Sequence, residues 1–283
     1  MPPLSSSTLS SSKHSSHVET LTVDGRPVLC RILYAFPSTP NSSPNPTPAH
    51  GLPLLFLHGL SCSSDTWRPA LDRLAERQWG SAVLVPDMPG FGCSPGPKAA
   101  LGMEELADWA VRLMDGLGLE RVHLAANSMG CQVALALARR HPARVGGMVL
   151  VGPTAGESYI PFWRYALGLV LDGCREPLLY SAVLTRMYFQ MGVPRYLATT
   201  KKMLEDEPIS HAAKVHAPCL ILRGIWDGII PDSVARRLAA ALPRGEFQRM
   251  QGAAHALQFT RPSEFVEIAL AFWQRAEAGN GGV

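Results

Sequence analysis

The fold is decided by residues 124–130, which read Leu124-Ala125-Ala126-Asn127-Ser128-Met129-Gly130. An apolar strand pattern leads into Ser128, and a helical pattern begins directly after it. A serine on so tight a turn is strained, and side chains two positions before and after it would collide with neighbouring backbone. Ala126 and Gly130 are small enough to meet this demand. The stretch therefore predicts a strand–turn–helix elbow with Ser128 as a nucleophile, and the alternative is a serine that only caps a helix.

Strands and helices alternate on both sides of this elbow. The elbow itself joins a predicted strand at 121–125 to a predicted helix at 129–141. The other predicted strands cover 17–23, 27–36, 53–57, 82–86, 147–151, 219–223 and 246–250. The other predicted helices cover 65–78, 103–117, 231–241 and 262–276. This alternation indicates an α/β fold, a mostly parallel sheet with helices on both faces.

Two segments interrupt the alternation. Residues 1–17 are rich in serine and lack aromatic and acidic residues until the first strand, which predicts a disordered tail. Residues 154–214 carry helical patterns, most of the tyrosines and no convincing strand. We therefore expect a core built from 18–153 and 215–278, with an inserted helical cap at 154–214. A proline-rich stretch at 37–49 predicts a surface loop.

Composition excludes several classes of protein. The chain has 283 residues, of which 47% are hydrophobic and 17% charged, so it can bury a core. Its 26 basic and 23 acidic residues are interspersed, which argues against nucleic acid as a partner. No apolar stretch is long enough for an integral membrane segment. The six cysteines are scattered without a metal-binding spacing, which predicts reduced thiols in a cytoplasmic protein.

A nucleophilic serine needs a base and an acid that orients the base. His255 follows the last predicted strand, at the sheet edge that also holds Ser128. Asp227 follows the strand at 219–223 at the same edge, whereas Asp232 lies beside Pro231, where capping of a helix explains it better. We therefore predict a triad of Ser128, Asp227 and His255, and favour Asp227 over Asp232 as the acid.

Acyl chemistry also needs hydrogen-bond donors for the developing oxyanion. The backbone N–H of Met129 follows the nucleophile, and that of Leu60 lies in the loop after the strand at 53–57. His58 begins that loop and is expected to hold its turn through a hydrogen bond. The predicted substrate-binding residues are His58, Gly59, Trp163, Tyr188 and Leu257. This chemistry requires no metal and no organic cofactor, and its partner is a small carbonyl substrate.

Together these residues resemble the α/β-hydrolase superfamily in its capped form. The resemblance covers about residues 51–276. It rests on His58-Gly59, the segment 87–94 (Asp87-Met88-Pro89-Gly90-Phe91-Gly92-Cys93-Ser94), the elbow, Asp227 with Pro231, and His255 followed by Arg261-Pro262. It implies that residues 87–94 form a structural turn near the pocket rather than a catalytic element.

The residue at the elbow narrows the expected activity. Haloalkane dehalogenases and epoxide hydrolases of the superfamily carry an aspartate there, whereas this chain has Ser128. The elbow resembles that of serine carbon–carbon bond hydrolases of aromatic meta-cleavage pathways. Cys131 and Leu257, however, replace a glycine and a tryptophan usual in those enzymes, and the loop after Gly59 lacks their glycine-rich form.

The expected activity is therefore hydrolysis of a carboxylic ester, or of a lactone or thioester, with an apolar or aromatic acyl group. The reaction would pass through an acyl-enzyme on Ser128. An acyltransferase would use the same residues. Two alternatives stay open: a carbon–carbon bond hydrolase acting on a meta-cleavage-type dienone, and a ligand-sensing receptor with the same fold.

Overall fold

The computed structural model of the protein describes residues 16–33, 51–77, 79–156, 158–173, 175 and 178–279. The disordered tail predicted for residues 1–17 lies outside these residues except for its last two, and a strand already begins at His17. The loop predicted at 37–49 lies wholly outside them. No helix in the described ranges combines the length and the apolar character needed to cross a membrane.

A sheet of eight strands forms the centre of the described chain. Its strands are β1 (His17–Val23), β2 (Arg26–Leu33), β3 (Leu54–Leu57), β4 (Val83–Pro86), β5 (Val122–Asn127), β6 (Val145–Val151), β7 (Cys219–Gly224) and β8 (Gly245–Met250). Their spatial order is β1-β2-β4-β3-β5-β6-β7-β8. The β1–β2 and β2–β4 pairs are antiparallel, and the other neighbouring pairs are parallel. The predicted mostly parallel sheet is thus confirmed.

Helices cover both faces of the sheet, as predicted. In chain order, the α-helices of the described residues are α1 (Arg68–Glu76), α2 (Met103–Gly116), α3 (Met129–Arg140), α4 (Phe162–Gly173), α5 (Leu178–Met191), α6 (Val193–Glu205), α7 (Pro208–His211), α8 (Asp232–Ala241), α9 (Leu257–Thr260) and α10 (Pro262–Ala278). Apolar side chains of α2, α3 and α8 form a core on one face, whereas those of α1 and α10 form a core on the other.

Strand β3 shows why a short apolar run suffices at the centre of the sheet. All four of its side chains are buried. Leu55 and Leu57 join the core beneath α2 and α3, while Leu54 and Phe56 join the opposite core. Each fully buried side chain of this kind contributes roughly 1.5–3 kcal/mol. Because successive side chains point to opposite faces, a strand covered on both faces carries an unbroken apolar run.

The structure shifts some predicted boundaries. The helix predicted at 65–78 begins as a 3-10 turn at Ser64–Trp67, and α1 starts only at Arg68. Strand β5 continues two residues past its predicted end to Asn127, so Ser128 alone separates it from α3. The short helix α9 was missed, because four residues are too few to show a helical pattern.

Among its described residues, the segment between β6 and β7 contains helices and no strand. It holds α4, α5, α6 and the short α7. We keep the name cap for residues 154–214, and the domain boundaries themselves stay a prediction.

Gln132, a residue of α3, forms hydrogen bonds with the beginning of the cap and with the end of α6. Its Nε2 donates to Asp206 Oδ2 (2.9 Å) and to Met203 O (3.0 Å) at the end of α6. Its Oε1 accepts a hydrogen bond from Thr154 Oγ1 (2.8 Å), where the cap begins. Burial raises the pKa of Asp206 to about 6, although the hydrogen bond from Gln132 opposes that rise.

We expect Asp206→Asn to stabilise the protein at about pH 8 and to change little at about pH 4. The pKa of the folded carboxyl lies above its ordinary value of 3.8, so the wild type loses stability as the pH rises from about 4 to 6. Asparagine removes the charge and keeps an acceptor for Gln132. The gain at pH 8 should be on the order of 1–2 kcal/mol in urea unfolding.

Asp232→Asn is the matched control, because its effect on stability is expected to have the opposite sign. Hydrogen bonds from Arg249 and Arg236 lower the pKa of Asp232, so loss of its charge should lower stability at neutral pH. If the wild type is at least as stable as Asp206→Asn at pH 8, the raised pKa of Asp206 is contradicted.

Candidate active site

Ser128 is a single strained residue between β5 and α3. Its backbone has φ 55° and ψ −122°, a conformation that residues other than glycine rarely adopt. Its N–H donates to Val151 O (2.9 Å), and its carbonyl accepts from Cys131 N (3.0 Å). A Cβ at Gly130 would lie 2.6 Å from both the Leu57 and the His58 carbonyl oxygens. Only glycine therefore lets α3 begin this close to the end of β3.

His255 and Asp227 form a buried, hydrogen-bonded pair. His255 Nδ1 donates to Asp227 Oδ2 at 2.9 Å. The second oxygen, Oδ1, accepts from the amides of Ile229 and Ile230, both at 2.9 Å. Arg223 fixes the same loop by donating to the carbonyls of Asp227 and Ile230, both at 2.7 Å. The Asp227 carboxylate is thus held with one oxygen aimed at the imidazole.

Electrostatics keep Asp227 ionised. Burial by itself would raise the pKa of this carboxyl. The neighbouring His255, its hydrogen bond, the Ile230 amide and Arg223 outweigh burial and lower the pKa below its ordinary value. A carboxylate in this state accepts a hydrogen bond from Nδ1–H, which would leave Nε2 of His255 unprotonated, as the predicted role of base requires.

Ser128 and His255 open onto one cavity of about 530 Å³. That volume is within the range of small-molecule sites, roughly 300–1,000 Å³. Asn127 also lines it, and its Nδ2 donates to Val151 O (3.3 Å) and to His255 O (3.5 Å). Asp232, the alternative acid, instead forms ion pairs with Arg236 and Arg249 away from this cavity. The structure thus brings Ser128, His255 and Asp227 to one edge of the sheet.

Gly152 is a site residue that sequence reasoning missed. It follows β6 with φ 52°, and a Cβ there would lie 2.7 Å from His255 Nδ1 and 3.1 Å from Asp227 Oδ2. Any side chain would therefore push the pair apart. Its position directly after a central strand was the available signal, because β6 lies between the strands that carry Ser128 and Asp227.

The two expected oxyanion donors flank Ser128. The Met129 amide begins α3, and Leu60 lies in the loop after β3 and lines the cavity. A Cβ at Gly59 would lie 3.1 Å from Ser128 Cβ, so this loop runs directly beside the nucleophile. Within the described ranges neither amide donates to another group. Their role as donors to a substrate oxygen stays a prediction.

Known proteins share this architecture. Residues 53–179 match the family model described as alpha/beta hydrolase fold. A 2-hydroxy-6-oxononadienedioate/2-hydroxy-6-oxononatrienedioate hydrolase from Pseudomonas putida is 30% identical over 249 residues, which cover 78% of this chain and 87% of that protein. The chain belongs to the α/β-hydrolase family.

Two further relatives of this α/β-hydrolase carry different activities in their names. A 2-hydroxymuconate semialdehyde hydrolase from Pseudomonas sp. (strain CF600) is 28% identical over 256 residues, covering 81% of this chain and 89% of that protein. A thermophilic esterase from Thermogutta terrifontis has the same fold, with a TM-score of 0.72 and 20% identity over 92% of this chain and 99% of that one.

His58 stabilises the loop of this hydrolase from outside the cavity. It is fully buried, with Nδ1 bonded to Gly59 O (2.9 Å) and Nε2 accepting from Met88 N (3.0 Å). Burial lowers the pKa of His58, which favours the neutral ring that these two contacts require. Its expected turn-holding hydrogen bond is present. His58 does not belong to the described cavity lining, and its role in substrate binding stays a prediction.

The direction of each side chain determines which of the other predicted pocket residues line the cavity. Gly59 and Tyr188 line the cavity, whereas Trp163 and Leu257 do not. Trp163 points outward with 63% of its surface exposed, and Leu257 is buried in the core beneath α1 and α10. The cap helices instead turn whole faces inward, at Phe162, Tyr165, Ala166, Leu169 and Asp172 of α4, and at Tyr180, Ser181, Leu184, Thr185, Tyr188 and Phe189 of α5.

Asp172 is a second buried carboxyl group beside the His255–Asp227 pair. Its Oδ1 accepts from the backbone amides of His255 (3.3 Å) and Gly228 (3.2 Å), so one cap side chain contacts both loops that carry the base and the acid. A Cβ at Gly168 would lie 2.6 Å from Gly228 O, so α4 packs directly on this loop. Burial raises the pKa of Asp172 and the Asp227 charge adds to the rise, while His255 opposes it.

We expect Asp172→Ala to lower kcat about 10- to 100-fold on a short ester, because both loops lose a shared acceptor and the base loses its position. Asp172→Asn retains an acceptor oxygen and should lose less. The measurement is steady-state kinetics of both variants.

Asp232→Ala is the control, since it removes an aspartate of the same region that does not line the cavity. Its kcat should equal that of the wild type. If Asp172→Ala and the wild type have equal kcat, Asp172 does not position His255.

Proposed function

We propose that this chain is a serine hydrolase that cleaves uncharged esters with an apolar or aromatic acyl group. The observation that carries the proposal is the joint exposure of Ser128 and His255 to a cavity with mainly apolar and aromatic walls. No lysine or arginine belongs to the described lining. Its apolar and aromatic members include Leu60, Phe162, Tyr165, Ala166, Leu169, Tyr180, Leu184, Tyr188, Phe189, Tyr196, Met203 and Ile229.

Acylation follows from the positions of these groups. His255 Nε2 accepts the Ser128 hydroxyl proton while Oγ attacks the substrate carbonyl carbon. The Leu60 and Met129 amides stabilise the resulting oxyanion. The charged imidazolium is stabilised by its hydrogen bond to Asp227. His255 then gives its proton to the leaving alcohol as the ester C–O bond breaks, which leaves an acyl group on Ser128.

Deacylation uses the same residues in reverse. A water molecule gives a proton to His255 Nε2 and attacks the acyl carbon. The oxyanion forms again against Leu60 and Met129. It collapses with release of Ser128 Oγ, which takes the proton back from His255, and the carboxylic acid product leaves.

A specific observation favours a second candidate, a carbon–carbon bond hydrolase. Two of the relatives above are named for muconate or dienedioate substrates, which contain carboxylate groups. In this chain the described lining has no lysine or arginine, and it includes the carboxyl group of Asp172. Desolvating a carboxylate without a cationic partner is costly, so the charge of this cavity favours the uncharged ester.

The proposal predicts strong discrimination between two esters of similar length. We expect kcat/KM for p-nitrophenyl butyrate to exceed that for p-nitrophenyl hemisuccinate about tenfold or more, because the second carries a terminal carboxylate. A fluorophosphonate probe should label the wild type and not Ser128→Ala. The same preparations are then assayed with 2-hydroxymuconate semialdehyde.

Each outcome assigns a function. Faster turnover of the semialdehyde than of either ester would establish the carbon–carbon hydrolase instead. Absence of turnover together with absence of Ser128-dependent labelling would leave a ligand-binding role and overturn the enzymatic proposal.

A further inference from the structure

Large exposed apolar side chains are concentrated on the cap. Among the described residues, those outside the cap are Val18 of β1 and Trp226 of the loop after β7. The others lie on α4, α5 and α6: Phe162, Trp163, Leu167, Leu169, Val170, Leu171, Leu179, Phe189, Val193 and Leu197. Apolar patches of this kind on a protein surface mark contacts with proteins or membranes.

The cavity accounts for only part of this surface. Phe162, Leu169 and Phe189 are exposed and also line the cavity, so the cavity mouth lies among the exposed side chains. Val170 and Leu179 are 66% and 68% exposed and contribute nothing to the lining. Contact with a substrate inside the cavity therefore does not explain why the outward-facing side chains are apolar.

The charge on these helices has one sign at the surface. Arg164 on α4 and Arg186 on α5 are exposed, and the one acidic residue within the two helices, Asp172, is buried. Arg175 follows α4 and donates to Trp226 O (2.8 Å), which places exposed Trp226 beside the cap. In the described residues, α4 and α5 thus combine apolar side chains, an exposed tryptophan and positive charge.

We propose that the outer surface of α4 and α5 docks on a bilayer that contains anionic phospholipids. Exposed leucine, valine and aromatic side chains would enter the interface, Trp163 and Trp226 suit its headgroup level, and the arginines would meet lipid phosphates. The docked chain would hold its cavity mouth against the lipid, where apolar esters dissolve. Docking itself does not depend on the proposed hydrolase activity.

A second copy of this chain fits the same surface less well. A two-fold contact brings one patch against itself, so Arg164 and Arg186 would face a surface of the same sign. Like charges brought together at an interface suppress association. An anionic bilayer removes this repulsion and still covers the apolar side chains.

Co-sedimentation with vesicles tests the proposal. The full chain with Ser128→Ala is mixed with vesicles of phosphatidylcholine, alone or with an equal share of phosphatidylglycerol. We expect binding to the anionic vesicles that weakens as NaCl is raised. Val170→Glu should lower the partition coefficient about tenfold or more. Val18→Glu, the matched control on an exposed valine outside the cap, should bind as the parent does.

A second variant keeps the test decisive if Val170→Glu misfolds. Arg164→Gln/Arg186→Gln should lose affinity for the anionic vesicles and lose part of the salt dependence. Folding of each variant is checked by circular dichroism and thermal unfolding, so that this check does not depend on the proposed activity.

Equal vesicle binding by Val170→Glu and Val18→Glu, or no binding to anionic vesicles, would overturn the proposal. A dimer that Val170→Glu converts to monomer, without vesicle binding, would assign the surface to self-association instead. Failure here is distinct from failure of the hydrolase proposal, because binding is read without catalysis.

Discussion

The backbone turn at Ser128 is the constraint on which the rest of the structure depends. A side chain in this conformation costs on the order of 1–3 kcal/mol, and it persists only where the surroundings hold both of its ends. Here β5 is buried along its whole length and α3 along most of its own. The helix can start this close to β3 only because Gly130 has no side chain to meet the Leu57 and His58 carbonyls. One packing contact thus fixes Ser128 and sets the loop of Leu60 beside it.

Sheet topology, rather than local sequence, brings His255 and Asp227 to that turn. Strands β5, β6, β7 and β8 are neighbours and parallel, so the residues that follow them meet at one edge. Gly152 after β6 leaves the space that the His255–Asp227 pair occupies. Arg223 then holds the loop of Asp227 by three carbonyls, those of Gly224, Asp227 and Ile230. The acid is rigid because its loop is bonded internally, and this rigidity is what a fixed tautomer of the base requires.

The same topology explains what could be predicted from sequence. Ser128, Asp227 and His255 each follow a predicted strand, and the alternation of strands and helices places them at one edge. Trp163 could not be oriented, because the sequence of an apolar helix does not reveal which face turns inward. Asp172 gave no local signal, since its partners, the amides of Gly228 and His255, lie more than fifty residues away in the chain. Contacts between the cap and the core are thus the part of the site that only the three-dimensional structure reveals.

The cap helices carry more apolar surface than a lid over a cavity needs. A helix between a cavity and water requires one apolar face and one polar face. Helix α4 instead lines the cavity with Phe162 and Leu169 and turns Trp163 and Val170 outward. Exposure of such side chains to water is unfavourable, at about 25 cal/mol for each Å² of apolar surface. A surrounding of low polarity removes this cost, and an uncharged apolar ligand favours the same surrounding. The inner wall of the cap and its outer surface therefore favour the same surrounding of low polarity. On a chain docked as proposed, an apolar ligand would reach the cavity mouth without first dissolving in water.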